Sequence, residues 1–371
     1  MINFFPALMK DSRRSLYLPF SLGHFANDFV PCSVVVLAPA IALEMGLNPI
    51  EVGLLLTLHT LGSALGFFPA GLLADSAKKP GNLLVLTFWW VGLGYLLASW
   101  APGFWSLAFL FALAGCGDAA WHPLATAILV KSDPQNRGQA LGFHAVGGTL
   151  AGVVGPVIVG ILLTSMDWRQ TLHLIILPTL LVGLLFLKIR KLVAEHSKPK
   201  AISKQDFKNL WKSWTKKTGL LIICLMSSYH MSLVAMMSMI PLYLREFHGL
   251  SSAMTGLAFG MMVLAGAFIQ PLMGRLSDRA GRRRVIVLCI ATAAVCAFMI
   301  PVLENFGLLF MIIIFLLVGV GLLEGVRSSV LAAAVEYTGS REGTTLGFAY
   351  TLMDGIGAFG ALLAGWAAGI Q

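Results

Sequence analysis

Residues 140–164 read ALGFHAVGGTLAGVVGPVIVGILLT. The stretch contains no Lys, Arg, Asp or Glu. A helix of this length, rising about 1.5 Å per residue, crosses the hydrocarbon core of a bilayer. A soluble helix would keep a polar face, and this one has none. A related run, LGFAYTLMDGIGAFGALLAGWAAGI, occupies residues 346–370. Leu141-Gly142-Phe143 matches Leu346-Gly347-Phe348, and Gly152, Gly155 and Gly160 match Gly357, Gly360 and Gly365. The chain therefore reads as a membrane protein built from an internal repeat.

Composition agrees. Of 371 residues, 57% are apolar and 12% charged, against about a quarter charged in an ordinary soluble domain. Mean hydropathy is +0.83. A disordered chain, a disulfide scaffold and an ordinary cytosolic enzyme are excluded. The five cysteines, Cys32, Cys116, Cys224, Cys289 and Cys296, all lie in apolar segments and read as packing residues. The first apolar run, from Leu16, is too long for a signal-peptide core and reads as a retained helix.

Eleven segments are long and apolar enough to span: Leu16–Ala42, Val52–Ala74, Leu83–Trp100, Phe104–Val130, Ala140–Thr164, Trp168–Leu187, Leu220–Leu244, Met254–Met273, Val285–Leu303, Phe306–Val335 and Leu346–Ile370. The predicted class is all-α and multi-pass; a β-barrel would alternate in short segments. With the N-terminus cytoplasmic, all but Arg169, Arg245 and Arg327 of the 26 Lys and Arg fall on the inner side. That asymmetry accounts for the net charge of +9 without a nucleic-acid partner. It points to the cell (inner) membrane and a bilayer-embedded chain, expected to be a monomer.

Residues 1–187 form one predicted six-helix bundle, 188–217 a linker and 218–371 a second bundle of five helices. The linker holds ten basic residues. Within it Phe207, Leu210, Trp211 and Trp214 recur at helical spacing among Lys204, Lys208, Lys212 and Lys216, the pattern of an amphipathic helix on the membrane surface. Gly71-Leu72-Leu73-Ala74-Asp75 ends the second span as Gly274-Arg275-Leu276-Ser277-Asp278 ends the eighth. The offset of about 205 that aligns Leu141 with Leu346 sets His122 opposite Arg327. Two parallel repeats of six helices are a transporter architecture with its substrate site between them. By this count a helix equivalent to Trp168–Leu187 is expected after Gln371, lost by truncation or absent from the natural protein.

Residues Gly274–Arg284 (GRLSDRAGRRR) resemble the loop after the second helix in each half of major facilitator superfamily transporters. Gly71–Lys79 (GLLADSAKK) is a weaker copy, with Ala77 where glycine is usual. Gly142, Gly155, Pro156 and Gly160 resemble the superfamily's antiporter pattern, with Ala151 and Val159 replacing two glycines. Gly23-His24-Phe25-Ala26-Asn27-Asp28, Trp121-His122-Pro123 and Val146-Gly147-Gly148 are similar to the fosmidomycin-resistance-like exporters. The resemblance implies export by alternating access.

Ionisable groups inside spans are by default functional candidates, because each costs a few kcal/mol to insert. His24 and Asp28 share a face of the first span, as do Asp118 and His122 in reverse order on the fourth. The two spans run oppositely. Counted at ~1.5 Å per residue from the cytoplasmic ends, both histidines lie at roughly 12 Å and both aspartates at roughly 18 Å. Matching layers of imidazole and carboxylate could pass protons as hydration changes, or could clasp helices together. His230 aligns with Asp28 when Pro39 is matched to Pro241. Glu324 and Arg327 form either a structural pair or a substrate contact, with Arg327 holding an anionic group. Asp354 adds a fourth acid against this single arginine, an excess that protons or a cationic substrate must compensate.

Asp75, Gly274, Asp278, Arg279 and Arg282 read as gating-loop residues. Asp278 has Arg279, Arg282, Arg283 and Arg284 about it, and Asp75 only Lys78 and Lys79. Gly142, Gly147, Gly148, Gly152, Gly155, Pro156 and Gly160 suit close helix approach and a bend. His59 and His144 read as packing residues, and His173 carries no role. Met231, Met236, Met237, Met239, Met261 and Met262 read as core filling or an adaptable substrate wall. No HExxH, GxSxG or phosphate-binding loop occurs, so neither enzyme, metal site nor cofactor is expected. The reading is a proton-coupled exporter of small amphiphilic or anionic molecules. A proton symporter for nutrients and a transporter-like receptor are the alternatives.

Overall fold

The computed structural model describes residues 15–195, 203–338 and 342–369. Among the described residues there is no strand. Ten helices are long and apolar enough to cross a membrane, or eleven if one bent pair is a single span. The protein is an all-α, multi-pass membrane protein.

The bent pair is the first span, expected to be continuous from Leu16 to Ala42. It divides into α1 (Tyr17–Asp28), a 3-10 turn (Pro31–Ser33) and α2 (Val34–Met45), bent by 41°. Pro31 has no N–H to give the Asn27 carbonyl. The Ser33 hydroxyl donates to the Phe29 carbonyl at 2.7 Å. Gly46, at φ 65°, ends α2 in the left-handed conformation that glycine adopts freely.

Span α3 (Pro49–Ser76) begins with a reciprocal cap. The Glu51 N–H donates to Asn48 Oδ1 at 3.0 Å, and the Asn48 N–H to Glu51 Oε2 at 2.9 Å. Then come α4 (Pro80–Ala98), α5 (Phe104–Ser132) and α6 (Arg137–Leu162), which runs unbroken through Pro156. The sixth span is α7 (Trp168–Ile175) and α8 (Leu177–Ile189). The linker carries α9 (Lys204–Trp214), so its predicted helix forms; the Lys204 and Leu210 side chains lie outside the described ones.

Next is α10 (Lys217–Leu242), ending in a π turn at Tyr243–Phe247. It is followed by α11 (Ser252–Ala280), α12 (Arg282–Asn305) and α13 (Leu309–Thr338). α11 runs past the expected Met273 because the polar GRLSD stretch continues the helix. The last span breaks at Ala358 into α14 (Glu342–Gly357) and α15 (Phe359–Gly369).

Leu65, Phe268, Phe298 and Phe310 are each more than 70% exposed. Large apolar side chains facing outward at this density suit lipid contact. Helices from the two ends of the sequence touch along α3 with α14 and α15, and along α6 with α11. Small residues permit this. A Cβ on Gly160 would press on the Ser252 carbonyl and Gly256, and one on Gly365 would press on the Pro49 carbonyl and Gly53. Thr57 crosses the same seam, its hydroxyl donating to the Ala358 carbonyl at 3.0 Å.

Candidate functional site

α1 and α6 approach closely at Gly147 and Gly148. A Cβ on Gly148 would lie 2.6 Å from Cε1 and Nε2 of His24, so this glycine makes room for the ring. His24 Nδ1 lies 2.8 Å from the His144 carbonyl oxygen. A carbonyl only accepts, so Nδ1 carries a hydrogen. Nε2 then faces Asp28 Oδ2 at 3.1 Å. A contact this short between a nitrogen and a carboxyl oxygen needs a proton between them.

α5 supplies the other side. His122 Nε2 lies 3.8 Å from Asp28 Oδ1, and the His24 and His122 rings meet edge-on at 5.1 Å. The Asn27 amide joins the two carboxylates, donating to Asp118 Oδ1 at 2.6 Å and to Asp28 Oδ1 at 3.3 Å. The Asp118 backbone carbonyl also accepts from it at 3.2 Å. The expected imidazole and carboxylate layers thus meet in one cluster. Ligand atoms of His24, Asp28 and His122 lie within 4.8 Å of one another, so a single cation could touch all three. His24 and Asp28 keep 12% and 13% of their side-chain surface accessible, and His122 27%.

Two members of this cluster were not foreseen. His144, read as a packing residue, stacks on His24 with ring centroids 4.0 Å apart, and its own Nε2 has no hydrogen-bond partner among the described residues. Asn27 is fully buried. Its place beside Asp28 in the GHFAND motif was the available signal, since a buried amide needs partners. His59, read as a packing residue, lies 2.7 Å from Tyr95 Oη, and His173, given no role, lies 2.7 Å from Ser99 Oγ.

A second pair joins α10 to α14, with His230 Nε2 3.4 Å from Asp354 Oδ1. Both residues are buried, and Gly357 leaves the room that the His230 ring fills. Asp354 lies within electrostatic range of Asp118, and Arg327 within that of His122. Glu324 and Arg327 form no direct ion pair among the described residues. Glu324 packs against Gly266 of α11. Arg327 forms no hydrogen bond or ion pair among the described residues, although Glu324, Tyr350, Tyr229 and Asp354 surround it electrostatically. Phe67 bridges the two regions, stacked on Tyr350 at 5.2 Å and set 5.9 Å from His122.

At the helix ends, Asp75 pairs with Lys131 of α5 at 3.3 Å rather than with Lys78 or Lys79. Lys79 meets Glu195 at 3.2 Å instead. Asp278, near the end of α11, pairs at 3.4 Å with Arg282, the first residue of α12 beyond the Gly281 break, and Arg279 is exposed. A Cβ on Gly274 would meet only Ser328 Oγ, at 3.6 Å. Of the helix-approach residues, Gly155 presses on Ser33 and Phe29, and Gly160 and the Pro156 carbonyl on Gly256. Gly142 has open space about it and needs no small side chain. Met262 is buried in the core and Met261 is exposed, so these two do not form one wall.

Residues 20–361 match the sequence profile of the Major Facilitator Superfamily. A probable 4-methylmuconolactone transporter of Cupriavidus pinatubonensis is 29% identical over 72% of this chain. The aligned part spans 62% of that relative's length. The fosmidomycin resistance protein of Escherichia coli is 25% identical, over 93% of this chain and 84% of its own. Among solved structures, a bacterial homologue of the human lysosomal transporter Spinster, inward-facing and unoccupied, superposes with a TM-score of 0.77. It is 18% identical, with 95% of this chain and 82% of that one covered, a likeness of fold.

Proposed function

The chain belongs to the Major Facilitator Superfamily and is a transporter rather than an enzyme, and we infer that it is a proton-coupled exporter of small amphiphilic or anionic compounds. It would work by alternating access between two bundles, residues 1–187 and 218–371, as a monomer in the inner membrane with its N-terminus cytoplasmic. The observation that carries this reading is the cluster on α1 and α5. Two carboxylates and two imidazoles meet there inside membrane spans, and the His24–Asp28 contact needs a proton to form.

Such a cluster responds to water. Opening toward one side hydrates the carboxylates, and closure strips that water away, so proton affinity follows the conformational cycle. Arg327 supports an anionic cargo, because a half-buried guanidinium with no direct acidic partner among the described residues gains most from a substrate that brings one. Outward direction is supported by the relative named for fosmidomycin resistance and by the glycine-proline stretch of α6.

Everted membrane vesicles test direction and coupling together. With an acidic lumen, they should accumulate an anionic substrate and release protons as they do so. Accumulation only when the gradient is reversed would mean uptake by symport. Transport indifferent to the gradient would remove the proton from the mechanism.

A further inference from the structure

α9 carries one feature that the transport cycle does not use. Phe207, Trp211 and Trp214 lie along one stripe of the helix, and Lys208 and Lys212 flank it. The stripe is divided. Trp214 is buried, its ring near Phe348 and Tyr337, and the Tyr337 hydroxyl donates to the Ser213 carbonyl at 2.7 Å. Phe207 touches Phe68 of α3 at 6.3 Å between ring centroids but remains 48% exposed, and Trp211 is 57% exposed. Both lysines are exposed and make no ion pair among the described residues. Lys216 and Lys217 continue the positive edge into the start of α10.

The helix is therefore anchored by Trp214 against α13 and α14. In sequence α9 lies between the end of the α8 span and the start of the α10 span, so its exposed aromatic residues and lysines belong beside span ends. Aromatic rings with a lysine flank suit an interface whose apolar edge carries negative phosphates. We propose that α9 is a binding surface for anionic phospholipid, with Phe207 and Trp211 against the acyl boundary and Lys208 and Lys212 on the headgroup phosphates. Through Phe68 on one side and Tyr337 and Phe348 on the other, a lipid held there bears on α3, α13 and α14 together.

The test uses the whole protein purified in detergent. Retained lipid is counted by native mass spectrometry after exposure to phosphatidylglycerol or phosphatidylcholine, with thermal stability read alongside. Phosphatidylglycerol should be retained preferentially and should raise the melting temperature. A Lys208→Gln, Lys212→Gln variant should bind it about fivefold less tightly per lysine removed, and Trp211→Ala should weaken retention of both lipids. Equal retention of the two lipids by the wild type would overturn the proposal. Undiminished phosphatidylglycerol binding by the double variant would do so too. So would full displacement by glycerol phosphate, since the surface would then recognise a free anion and not a membrane.

Discussion

Asp28 receives contacts from three side chains on two helices: His24, Asn27 and His122. Asn at this position keeps the shape and the acceptor for His24 but cannot take up a proton. Asp28→Asn should therefore abolish proton-driven transport, by about a hundredfold or more, while membrane insertion and melting temperature stay near wild type. A pH-sensitive dye inside proteoliposomes reads this directly, and undiminished proton flux would take Asp28 out of the mechanism. Arg327 makes a different prediction. Because it forms no ion pair among the described residues, Arg327→Ala should weaken binding of an anionic substrate about tenfold or more, the scale of one charge-assisted contact. A neutral analogue should be nearly unaffected in the same binding assay. Equal losses for both would assign Arg327 a structural role.

At the scale of elements, the site depends on how closely α6 meets α1. Gly148 is the critical point because His24 occupies the space that a methyl group would take. Gly148→Ala should push the ring off both Asp28 and His144, cutting transport about tenfold and costing about 1–3 kcal/mol in stability, the usual cost of overpacking. Gly142→Ala, on the same helix but with open space around it, should be neutral in both assays. The break after α1 has a related effect. Where Pro31 interrupts the ladder, α1 can hold His24 and Asp28 against α5 while α2 departs at its own angle.

For the molecule as a whole, the seam between α3 and the α14–α15 pair is the contact that rocking must disturb. Thr57 and Ala358 already touch across it. Replacing both with cysteine and oxidising should lock the seam, stop transport, and restore it on reduction. Full transport by the cross-linked protein would exclude motion at this seam. A transport assay before and after reductant decides the matter.

Span count, the repeat and the linker helix were legible in the sequence because they are one-dimensional properties: length without charge, self-similarity at a fixed offset, and a period near that of a helix. The pairing of His24 with Asp28 was legible for the same reason, since four residues on one helix fix a shared face. Tertiary structure alone decided what crosses between helices. It put His144 against His24 and Asn27 between two carboxylates, gave Asp75 a lysine from α5, joined His230 to Asp354 and left Arg327 with no ion pair among the described residues. No spacing along the chain encodes those contacts, because each depends on the distance, tilt and rotation at which two helices pack, and those follow from the small and large side chains along both faces at once.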